Sequence, residues 1–175
     1  MTRPAPELFR RAMSLFPTGV TIVSTRREGT EYAMTASSFT SVSLEPLQVL
    51  VCVARSTRFH PAVLDAGVWG VSFLAAHQVE LSRRFAAHGR DLDESLEGVA
   101  YHAGPSTGVP LIDGALVTLE CRSTATYDGG DHSIVVGEVL DIVLGDDPAP
   151  ALVFHQGSYG IVTAGDQPRR SDPPA

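Results

Sequence analysis

Six Ser or Thr hydroxyls crowd ten positions in MTASSFTSVS (34–43), just before the apolar run LQVLVCVA (47–54). Such a segment, read as a loop between the extended runs Tyr32–Met34 and Leu47–Ala54, brings hydroxyls and backbone amides together. That arrangement suits a flat heteroaromatic ligand: backbone N–H and C=O groups match its polar edge, and apolar side chains cover its face. The alternative is that the hydroxyls satisfy their own backbone through local bonds. A second cluster, ARSTRFH (54–60), adds Ser56, Thr57, two arginines and the start of a helix. These are phosphate-binding parts, or else an N-cap with solvated arginines. A flavin is one such flat heteroaromatic ligand.

Other chemistries find little support. The six His residues form neither HxH nor HExxH, the two Cys residues form no CxxC, and GxGxxG and GxxxxGK[ST] motifs are absent. All thirteen basic residues are Arg, so a lysine Schiff base is excluded and a phosphate is left to Arg, hydroxyls and backbone N–H groups. A formal net charge of −7 repels a phosphodiester backbone, which argues against a nucleic-acid partner. The N-terminus lacks a signal-type apolar core and no apolar run reaches transmembrane length, so the simplest expectation is a cytoplasmic protein without a membrane partner. Cys52 and Cys121 then read as buried free thiols.

The elements that must position these residues are short. ELFRRAMSLFP is apolar at helical spacing and stops at Pro17 and Gly19. GVTIVST, a turn at Gly29 and EYAMTASS read as a hairpin. STRFHPAVLDAG predicts a helix capped by Ser56 or Thr57 and ended by Gly67, VWGVSFLA a buried strand, and HQVELSRRFAAHG a helix closed at Gly89. The stretch 90–110 is polar and punctuated, and reads as a surface excursion. ALVTLECRSTATYDGGDHSIVVGEVLDIVLG predicts a long hairpin around DGGD. ALVFHQGSYGIVT adds one or two strands, and the polar, Pro-rich 166–175 reads as a disordered tail. About seven strands with a few short helices must hide two sheet edges, which closure into a barrel achieves.

In this order, FPTGVTIVST, AMTASSFTSVSLEP, LVCVARST, LSRRFA, GDHSIVVGEV and LVFHQGSYG resemble the flavin-reductase-like, FMN-binding split-barrel proteins, from about residue 7 to 163. The resemblance implies a mainly β, Greek-key-like split barrel over residues 1–165. It implies a short-chain NAD(P)H:flavin oxidoreductase that passes a hydride from NADH or NADPH to FMN or FAD and feeds a partner flavin-dependent monooxygenase. It also implies a homodimer with flavin near the subunit interface. Two alternatives remain open: FMN as a tight prosthetic group of an oxidase or another reductase, and a non-catalytic flavin-binding module.

Residue by residue, the resemblance lays Met34, Thr35, Ala36, Ser37 and Ser38 along the ring. Cys52, Val53, Ala54, Ser56 and Thr57 follow from the ring edge to the phosphate, and Ser82, Arg83 and Phe85 border the flavin. His132 lies near the nicotinamide as the one candidate catalytic residue, and Tyr159 lines the same pocket. The chain departs from the family pattern at Leu47, where a second proline is common, and in lacking Lys.

Overall fold

After helix α1 (Pro6–Ser14), with proline in its first turn, the chain passes through β1 (Thr18–Gly19), β2 (Thr21–Arg27), β3 (Thr30–Ala36), β4 (Thr40–Leu44) and β5 (Leu47–Ala54). Helix α2 (Phe59–Ala66) ends at Gly67, whose φ of 66° is left-handed. Then come β6 (Val68–Phe73), a 3-10 turn (Ala76–Gln78), helix α3 (Val79–Ala86), β7 (Tyr101–Ala103) and β8 (Pro110–Ile112). The chain continues through β9 (Val117–Gly129), β10 (His132–Leu144), β11 (Ala151–His155) and β12 (Ser158–Val162). The computed structural model describes residues 3–86, 96–145 and 149–163.

The main sheet has seven strands in the order β3-β2-β6-β9-β10-β5-β4, with every neighbouring pair antiparallel. Its edges, β3 and β4, are consecutive in sequence and joined by residues 37–39 alone. That link reaches at most about 14 Å, whereas seven strands laid flat span roughly 29 Å. The sheet therefore curls until its edges nearly meet without pairing, and the result is a split barrel.

Alternation along the strands fills two cores. Val23, Val51, Val53, Val71, Cys121 and Val135 point inward around Trp69. Ile22, Ala33, Leu74, Phe85 and Ile112 form a second cluster under α3 and the small sheet β1-β11-β12. Because β2 is buried on both sides, its hydroxyls need partners. Thr21 donates to the Ala36 carbonyl, Ser24 to the Pro110 carbonyl and Thr25 to the Val68 carbonyl. Trp69 lies flat over Gly137, where a Cβ would come within 2.7 Å of the indole Cζ2.

Four expectations are corrected. The hydroxyl-rich 34–43 is no single loop: it spans the end of β3, a three-residue link and most of β4. Neither Ser56 nor Thr57 caps α2, whose N-cap is Arg58 without a side-chain bond; the Thr57 hydroxyl turns back to the Ala54 carbonyl. The described part of 90–110 is no mere excursion, because Leu96 and Val109 are buried and Ser106 and Thr107 donate to the buried carboxylate of Glu120. Cys52 is half-buried rather than buried; only Cys121 is. The expected helix end at Gly89 and the tail 166–175 lie outside the described residues.

Candidate functional site

The link between the barrel's edge strands is tied to its neighbours by side chains. Ser38 accepts the N–H of Cys52 at 3.2 Å and donates to the carbonyl of the same residue at 3.0 Å. One hydroxyl thus holds the link 37–39 against β5. Three residues earlier, the Thr35 hydroxyl donates to the Ser82 carbonyl at 2.7 Å, tying β3 to α3. The Ser82 hydroxyl shares a 2.9 Å hydrogen bond with the Tyr159 hydroxyl of β12. Arg83 stacks over the Tyr159 ring at 5.4 Å, and Phe154 meets that ring edge-on at 5.2 Å.

On β5, Val49, Val51 and Val53 face the core, while Gln48, Leu50, Cys52 and Ala54 lie half-buried on the other face. The β5–β10 register sets His132 opposite Ala54 and Ile134 opposite Cys52. Directly opposed residues share a face with Cβ atoms about 5 Å apart. His132 therefore stands beside the segment 52–57, although some 75 residues of chain separate them in sequence. Its ring Nδ1 is 2.7 Å from an Asp131 carboxylate oxygen, and this hydrogen bond, with the His132 charge, holds the Asp131 carboxyl below its ordinary range. Burial, aided by the neighbouring Glu120 charge, pushes the Cys121 thiol up to about 12. Of the two thiols, only Cys52 is partly open.

The expected residues thus fall into groups. Ser38 meets Cys52 at the seam where the link runs beside β5, with Ser37 exposed next to it and His132 opposite Ala54; Ser82, Arg83 and Tyr159 form one cluster joined to Thr35. Met34 points the other way and packs on the barrel core. The side chains of Ala36, Val53, Ser82 and Phe85 are buried. Ser82 and Phe85 are thus enclosed by the protein, Ser82 bonded to Tyr159. Ser56 is exposed beyond the strand end.

Sequence reasoning missed Arg55, Asp128 and Asp131, which link the end of β5 to the tip of the β9–β10 hairpin. The available signal was a pair of oppositely charged tips, ARST and DGGD. Among the described residues no group of three His, Cys, Asp or Glu side chains is placed to hold a metal ion.

Residues 37–39 lie outside both flanking strands, and the side chains beside them are small. Free peptide edges, small neighbours and an open hydroxyl at the strand end match a flat ring with a phosphate tail, so the residues fit a flavin. Fold and site together define a flavin-handling split barrel.

The chain belongs to the flavin reductase like domain family, whose model matches residues 13–163. It is 42% identical to "FMN reductase (NADH) SmoA" of Agrobacterium fabrum, over 87% of this chain and 83% of that protein. It is 38% identical to "4-hydroxyphenylacetate 3-monooxygenase, reductase component" of Thermus thermophilus, over 89% of this chain and 97% of that one. Among solved structures, BorF, the flavin reductase component of a bacterial two-component tryptophan halogenase, aligns with a TM-score of 0.86 at 39% identity, covering 92% of this chain and all of that one.

Proposed function

We propose that this chain is an NADH-dependent flavin reductase, acting on FMN or FAD, that supplies reduced flavin to a separate oxygenase. The observation that carries the reading is the seam. It sets the peptide groups of 37–39, the small face of Cys52 and Ala54, and His132 around one place, in a chain whose relatives include an NADH-dependent FMN reductase and a monooxygenase reductase component.

Hydride transfer from nicotinamide to flavin is chemistry that the two cofactors supply themselves. The chain's part is orientation, which holds reacting atoms roughly 3–3.5 Å apart. The backbone of Ser37 to Phe39 pairs with the polar edge of the flavin ring and stabilises negative charge there. Cys52 and Ala54 allow close approach, and Ser56 with nearby N–H groups holds the phosphate. His132 orients NADH through its carboxamide or phosphate. No residue is required as an indispensable acid or base.

The same reading makes the protein a cytoplasmic homodimer. No helix among the described residues is long and apolar enough to cross a membrane. Leu8, Phe9, Met13 and Phe16 of α1 and its exit lie exposed, as do Ile142, Val143 and Leu144. Open apolar surface of this extent favours a second copy as its cover.

The deciding experiment is purification followed by turnover with added FMN or FAD and NADH or NADPH. A colourless protein that oxidises NADH only when flavin is added supports the reading. A stoichiometrically yellow protein makes flavin a prosthetic group, and flavin uptake without NADH oxidation makes the chain a binding module; either result overturns it.

A further inference from the structure

Arg55 follows the last residue of β5 and precedes the exposed Ser56, a place where a guanidinium is expected to meet a phosphate. Its bonds go elsewhere. Its backbone N–H donates to the Asp131 carbonyl at 3.0 Å, its Nε donates to the His132 carbonyl at 3.4 Å, and its Nη2 pairs with Asp128 Oδ1 at 2.8 Å. The same Asp128 oxygen accepts the N–H of Gly130 at 3.1 Å. A single residue therefore holds three points of the β9–β10 hairpin tip, the tip that carries His132. Two further contacts make the joint stiff: His60 Nε2 and the buried Ser133 hydroxyl share a bond at 2.9 Å, and the Thr57 hydroxyl folds onto the Ala54 carbonyl at 2.8 Å.

We propose that Arg55, paired with Asp128, is a positioning residue for NADH: it fixes the hairpin tip, and with it His132, against the strand end where flavin phosphate binds. The inference rests on the reading that NADH and flavin meet at this seam. An ion pair whose side chains are 48% and 80% exposed adds little to folding. What the pair supplies is geometry: two guanidinium nitrogens at set angles to a carbonyl and a carboxylate. The Arg55 guanidinium is accordingly a bond to the hairpin and not a ligand of the flavin phosphate.

The test compares Arg55→Ala, Arg55→Lys and Asp128→Asn with the parent chain. Asp128→Asn removes the charge yet keeps an acceptor for Gly130. Amide hydrogen exchange at residues 128–133, without ligand, reads the joint directly and is expected to quicken in Arg55→Ala. In steady state the KM for NADH is expected to rise about tenfold, the scale of one lost charge-assisted hydrogen bond, with kcat nearly unchanged. Arg55→Lys recovers little of this, and Arg55→Ala with Asp128→Asn together is no worse than Arg55→Ala alone. Binding of FMN relative to riboflavin, which lacks the phosphate, stays as in the parent. A selective loss of FMN over riboflavin binding in Arg55→Ala overturns the proposal, as does faster exchange at the tip with an unchanged KM. A parent chain that neither binds nor reduces flavin refutes the underlying reading instead, and the exchange result separates the two failures.

Discussion

The hydroxyl of Ser38 accepts the Cys52 N–H and donates to the Cys52 carbonyl, so that one side chain ties the link between the edge strands β3 and β4 to β5. Ser38 thereby fixes the link beside which the flavin ring is proposed to lie. Its side chain is committed to the protein, and the peptide groups on either side of it are the ones proposed to face the ring.

Replacing Ser38 with Ala is expected to cost about 1–2 kcal/mol of stability, the net worth of two neutral hydrogen bonds. It is also expected to weaken flavin binding by loosening the link. Ser37→Ala, at an exposed position, leaves stability within about 0.5 kcal/mol. Urea unfolding and flavin titration of both variants check the contrast. Equal stability of the two would mean that the Ser38 bonds do not hold the seam.

His132 sits on the nicotinamide side of the proposed site, opposite Ala54 and in contact with Asp131. His132→Ala is expected to raise the KM for NADH and leave the flavin Kd nearly unchanged. Titration of the variant with FMN, alongside initial rates over a range of NADH, separates the two effects. A large loss of flavin binding would show that the residue serves the flavin instead.

Glu120 is almost fully buried and accepts bonds from the Ser106 and Thr107 N–H groups and the Thr107 hydroxyl. Glu120→Ala leaves those donors without their acceptor, each at a cost of about 1–3 kcal/mol. With three donors released, a total loss of at least about 3 kcal/mol is therefore expected. A shift in the urea midpoint at constant slope would confirm it, and a change under 0.5 kcal/mol would deny the carboxylate its anchoring role.

How much of this was legible before folding differs from element to element. The hairpin around DGGD was, because alternating β-branched runs on either side of a two-glycine turn leave few other structures. So was the end of α2, since Gly67 takes a left-handed φ. The seam was not. Propensity says where strands lie but nothing about which edges curl together, and β4 was hidden because Ser and Thr signal loops as well as strands. Glu120 escaped for a related reason: an acidic residue inside an apolar run looks like a solvent-facing position until the loop that it anchors comes into view. The helical spacing of α1 was plain, but its exposed apolar face was not, since periodicity cannot say what covers a face.

Cys121 gives the fold a dependence on alkaline pH. Its folded value, raised to about 12, lies above the ordinary thiol value near 8.5. The group's contribution is therefore fully present below about pH 8.5 and is lost as the pH rises toward 12, because only the unfolded chain ionises there. The slope approaches about 1.4 kcal/mol per pH unit. Denaturation between pH 8 and 10 is expected to show this slope in the parent and to lack it in Cys121→Ala. Parallel profiles would mean that Cys121 titrates alike in both states.

Cys52 and Cys121 together allow the seam to be probed without turnover. At pH 8, iodoacetamide is expected to modify the half-buried Cys52 and spare the buried Cys121 in the folded chain. If the flavin ring lies against β5, saturating FMN slows the modification of Cys52 at least tenfold, a factor set by the fraction of free sites that remains. Modification of Cys52 at the same rate with and without FMN, in a preparation that reduces FMN with NADH, would place the flavin elsewhere and contradict the account.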